Sequence, residues 1–157
     1  MPTAVKIKIH DIPELRNQLD NLYDSATQKE IAEWALEIAK YTLEQYAPSF
    51  AIDQIVMKGY KLNKSWQQGV LLSMNDLRLV GFAIHRLAKT QKSEIICTAL
   101  RAMGQAVASA HMKEHGMVAS DYTIKCCNIA YPNNEAIVVQ ERTWQINELK
   151  NICDEIN

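Results

Sequence analysis

The sequence predicts an all-α fold: one bundle-like domain of about six to seven helices behind a short extended N-terminal arm. Three observations carry this expectation. Apolar residues recur at helical spacing over most of the chain. The 4 prolines and 5 glycines fall mostly where those periodic runs end. Only "VKIKIH", residues 5–10, alternates at strand period, and it has no second strand to pair with. At 157 residues the chain is the size of one domain with a substantial core. The reading divides it into an arm over residues 1–12 and a helical domain over 13–157.

The elements follow in order. "DIPELRNQLDNLY" starts a short helix, with Asp11 as the expected cap and Pro13 in the first turn. The clearest helix is "SATQKEIAEWALEIAKYTLEQYAP". Ser25 and Gln28 stand at capping-box spacing, Ile31, Trp34, Ala35, Ile38, Thr42 and Tyr46 form the stripe, and Pro48 ends it. The stretch 49–69 reads as one further helix despite Gly59, closed at Gly69. Ser73 and Asp76 suggest a capping box for the next, whose stripe is Leu77, Val80, Ile84, Leu87 and Ala88. A helix from Ser93 is expected to run on to Gly116. "VASDYTIKCCNIAYP" follows, closed by Pro132, and the last helix begins at Asn133 or Asn134.

Composition narrows the function. The formal net charge is -1, without the basic excess of a nucleic-acid binder. The charge is uneven, however. Residues 1–50 and 121–157 are acidic and residues 51–120 are basic, as in many soluble domains with adjoining surfaces of opposite sign. Cys97, Cys126, Cys127 and Cys153 fit no zinc ribbon or redox pair. No stretch approaches a membrane span and the first residues do not read as a signal peptide, so a cytoplasmic protein with reduced thiols is expected.

The chemistry concentrates in "RAMGQAVASAHMKEH", residues 101–115. On one continuous helix Arg101, Gly104, Ala108, His111 and His115 would share a stripe. His111 and His115 would then have the i, i+4 spacing of two metal ligands. The segment is nevertheless not the zinc-protease H-E-x-x-H, and two histidines do not make a site. The small residues fit better a tightly packed central helix, with Gly104 under a bulky ring such as Trp34, Trp66 or Trp144. Arg101 and the histidines would then be polar fasteners. In "ERTWQ", Glu141 and Trp144 share a face, and an Arg101–Glu141 ion pair is the preferred link between the two helices. Two separately solvated charges are the alternative.

These segments together resemble a known family, the bacterial immunity-protein-five-like proteins of polymorphic-toxin systems. The resemblance spans roughly residues 30–150. It rests on "AEWALEIAKY", Trp66 and Gly69, "AIHRLA" with His85, "RAMGQAVASAHMKEH", Tyr122 with Lys125, and "ERTWQ". Gln105 stands where the pattern has His, which thins any histidine cluster, and Ser109 stands where it has Thr. The resemblance implies an all-α fold and a partner, a cognate toxin that the protein binds and neutralises. It brings no catalytic residues with it.

The resulting expectation is a binding protein and not an enzyme, with no cofactor or metal, no nucleic acid and no membrane. The polar cluster singled out is His85, Arg101, Gln105, His111, His115, Glu141 and Trp144. The alternative is a small helical ligand-binding protein or metal-dependent enzyme centred on His85, Arg101, His111 and His115. A homodimer, joined through the arm or an apolar helix face, is a further possibility.

Overall fold

The structure is a computed structural model and describes residues 3–154. Among these are eight helices and no strand: α1 (Pro13–Ser25), α2 (Gln28–Tyr46), α3 (Pro48–Ala51), α4 (Gln54–Gln67), α5 (Met74–Lys89), α6 (Glu94–Ala108), α7 (Glu114–Ala130) and α8 (Glu135–Asp154). The all-α expectation therefore holds, with one helix more than expected. The stretch 49–69 divides because Asp53 caps a new helix, its carboxylate accepting from the Ile55 and Val56 N–H groups. Pro48 opens the short α3 as well as following the end of α2.

Other caps also differ from expectation. The box on α2 is Thr27 with Glu30, each side chain bonded to the other's backbone N–H, and not Ser25 with Gln28. Ser73 sits at the N-cap of α5 but makes no side-chain cap bond. Asp11 does not cap α1; its carboxylate is held by Arg142 on α8. Asn134 caps α8, accepting from the Ile137 N–H at 3.2 Å.

The core forms around α2 and α6. α2 buries Ile31, Trp34, Leu36, Ile38 and Leu43, and packs on α6, α7 and α8. α6 lies between α2, α5 and α7 and buries Leu100, Met103, Gly104 and Val107. The predicted stripe of α5 is the buried one, with Leu87 partly covered.

The run 101–115 is not one helix. α6 stops at Ala108 and α7 begins at Glu114. No proline or glycine lies between them. The last turn of α6 is instead capped from elsewhere in the fold. Asn63 on α4 donates to the Ala106 and Val107 carbonyls at 3.2 and 2.9 Å. Gln28 on α2 donates to the Ser109 and Ala110 carbonyls at 2.9 and 3.1 Å. These side chains take the place of the next helical turn's N–H groups. Gly116, expected as a stop, lies inside α7, where a Cβ would collide with the Ile31 side chain on α2.

The arm is extended and docked on its own domain. The His10 N–H donates to Asn128 Oδ1 at 2.9 Å, and Asn128 Nδ2 donates to the His10 carbonyl at 3.1 Å. Lys6 pairs with Glu114, and Ile9 packs on the small cluster of Ile124, Cys127 and Val138.

Candidate functional site

Six of the seven residues singled out from sequence fall into two clefts, joined to the fold in different ways, and Arg101 lines neither. The first lies where α5 meets α6 and the turn 109–113. It encloses about 280 Å³, and His85, Gln105, His111 and His115 all line it. Gly104 makes it possible: a Cβ there would lie 2.8 Å from the His85 ring. The ring pressing on Gly104 is thus His85 and none of the three tryptophans.

The imidazoles are individually constrained. His115 Nδ1 lies 2.7 Å from Gln105 Oε1. With the Gln105 amide in this orientation its oxygen accepts, which suits the neutral tautomer that has the proton on Nδ1 and leaves Nε2 as an acceptor. The His85 Nδ1 is buried without a hydrogen-bond partner. Burial lowers the pKa of His85, with the charges of Arg101 and His115 adding to it. Burial also lowers that of His115, helped by His111 and Lys6 and opposed by Glu114. Both rings are therefore held neutral near neutral pH. His111 is exposed in the turn, so the i, i+4 pair on one helix does not exist. Among the described residues no three His, Cys, Asp or Glu side chains group as metal ligands would.

The second cleft lies between α2, the C-terminal end of α7, and α8, and holds about 430 Å³. Tyr41 and Tyr46 enter it from α2, Cys127 and Tyr131 from α7 and its cap, Glu141 and Trp144 from α8. The Tyr41 and Trp144 rings lie 4.9 Å apart at 46°. Burial pushes the Glu141 carboxyl up to about 7, against the pull of Arg142 and Gln145. Burial, together with the Glu141 charge, pushes the Cys127 thiol up to about 12, which leaves it a poor nucleophile.

The Arg101–Glu141 pair does not form. Arg101 acts on His85 in the first cleft, while Glu141 belongs to the second. The ion pairs that tie α8 into the fold are made by its neighbour Arg142, which is fully buried. Its guanidinium grips Asp11 with two bonds, at 3.0 and 2.8 Å, and reaches Asp121 at 2.7 Å. It also donates to Ser120 and Gln145. Arg16 on α1 grips the same Asp121 with two bonds and pairs with Asp20 at 2.9 Å. Sequence reasoning missed this network. Its only local signal was the adjacency of a glutamate and an arginine on α8, and the wrong one of the two was assigned to a pair.

A family model described as "Imm-5 like putative immunity protein" matches residues 21–152. No curated protein and no solved structure matches the chain. No helix among the described residues is long and apolar enough to cross a membrane.

Proposed function

The chain belongs to the Imm-5 like immunity-protein family, and from that premise we propose that it binds a cognate bacterial toxin and neutralises it by covering the surface the toxin acts with. The single observation that carries this reading is the family match, which takes in both clefts and every helix from α2 to α7. The composition of the surface is compatible with it. Tyr41 and Tyr131 are 49% and 43% exposed, and exposed aromatic rings are the usual anchors of a protein interface. The test is co-expression with the toxin encoded beside this chain's gene. Restored growth and co-purification of the two proteins are the expected results. Failure of both removes the immunity reading.

A second reading attaches to the histidine cleft. The buried His85 Nδ1 without a partner is the kind of atom a small ligand satisfies, because an unpaired buried polar group carries an unrelieved desolvation cost. Under this reading His85, Gln105, His111 and His115 hold a small polar molecule, and the Arg101 charge helps keep His85 neutral. A thermal-shift screen of small hydrogen-bonding compounds tests it. Hits that disappear in H85F support it, and a screen without any such hit rejects it.

A further inference from the structure

The cleft between α2 and α8 has features that toxin binding in general does not explain. Its carboxylate is partly buried, lies among aromatic rings, and makes no ion pair among the described residues. The nearest arginine, Arg142, is committed to Asp11 and Asp121. The chain satisfies aromatic faces with its own cations elsewhere: Lys40 and Lys64 lie 5.4 and 5.7 Å from the Tyr60 ring, and Lys113 lies 4.3 Å from that of Tyr23. No described cation of the chain does the same for Tyr41, Tyr46, Tyr131 or Trp144. The flanking helices add to the negative field. α2 carries four glutamates against two lysines, and α8 three glutamates and an aspartate against an arginine and a lysine.

We propose that this cleft is a receptor for a lysine or arginine side chain presented by a partner protein. Aromatic rings attract a cation through their faces, and the carboxylate that lines the cleft with them gives it a counter-charge. An apolar guest would leave Glu141 buried without an ion-pair partner, and an anionic guest would be repelled by its charged form. Burial holds the Glu141 carboxyl up near 7 in the empty cleft. A positive guest would favour its charged form and so be bound more tightly by it. The proposal rests on the immunity reading for the identity of the partner, the toxin, but not for the chemistry of the guest.

The experiment has two arms. In the first, n-butylguanidinium chloride is titrated into the protein at constant ionic strength while NMR follows the Trp144 indole and Tyr41 ring signals. A saturable shift is expected in the wild type. In E141Q the affinity should fall at least tenfold while the melting temperature rises or holds. That divergence separates a binding carboxylate from a structural one, whose loss would weaken binding and fold together. Absence of saturation, or equal affinity in E141Q and wild type, overturns the proposal. Y41L, at an exposed position, gives an independent variant and should also weaken the response. In the second arm, the same variants are co-expressed with the toxin. Loss of rescue is expected. Full rescue by both variants overturns the docking role even if the probe binds. A wild type that fails to rescue counts against the immunity reading alone, and the probe titration then decides the cleft.

Discussion

The two clefts are built from opposite materials. The histidine cleft is lined by α5, where Arg78, Arg86 and Lys89 outnumber Asp76, and its imidazoles are kept neutral by burial. The aromatic cleft lies between two acidic helices, and burial keeps its carboxyl largely neutral until pH rises to about 7. Each holds an ionisable group in its uncharged form, but one is a base and the other an acid. A base held neutral is strained by acid; an acid held neutral is strained by alkali. The clefts also differ in support. The aromatic cleft is anchored through Arg142 and its carboxylates, the histidine cleft through close packing on Gly104.

The largest break in this comparison is Arg142→Ala. It strands Asp11, leaves the buried Asp121 with Arg16 alone, and empties a fully buried site, which together should cost about 3 kcal/mol. Chemical denaturation would measure the loss. NMR should show the Trp144 signals disturbed well before those of His85, because α8 is anchored there and α5 is not. Gly104→Ala acts on the other cleft. The added methyl meets the His85 ring, and overpacking should cost about 2–3 kcal/mol despite the better helix propensity of alanine. Adding His85→Ala should recover part of that loss. A double-mutant cycle without coupling would show that the two residues do not touch.

Smaller effects separate the clefts by pH. The Glu141 carboxyl is raised in the fold from 4.5 to about 7, so the folded state holds its proton over a range in which the unfolded chain releases it. Its contribution therefore falls as pH rises across that window. Glu141→Gln should stabilise the protein by about 1–2 kcal/mol at pH 8 and by little near pH 4, read from melting temperatures. The histidines run the other way. Their folded pKa values lie below 6.5, so below that pH the unfolded chain binds more protons and stability is lost as pH falls. His85→Phe should flatten the acidic limb by a few tenths of a kcal/mol. If both variants shift the profile in the same direction, the contrast between the clefts is wrong.

Much of the fold was legible in the sequence. The α2 stripe from Ile31 to Thr42 and the α5 stripe from Leu77 to Ala88 are the buried faces, because a one-sided helix has to turn its apolar side inward. Histidines 85, 111 and 115 with Gln105 do line one cleft, although the continuous helix expected to carry both His111 and His115 does not form. The periodicity gave no warning of the break, because Ala108 to Lys113 contains neither proline nor glycine. Glu141 and Trp144 were rightly placed on one face, but their companions Tyr41 and Tyr46 lie about 100 residues away in sequence and no local spacing points to them.

Neighbours along the chain are enough to set helix content, the buried stripes and the proline at the start of α1. Tertiary structure decided what depends on partners brought from afar. Asn63 caps the last carbonyls of α6 and Gln28 those of the turn that follows, and Asp121 receives arginines from both α1 and α8. The physical reason is one of range. Helical periodicity is repeated over many residues, so it survives averaging along the chain. A cap or a buried ion pair is a single meeting of two groups, and its position is set only when the helices that carry them have packed.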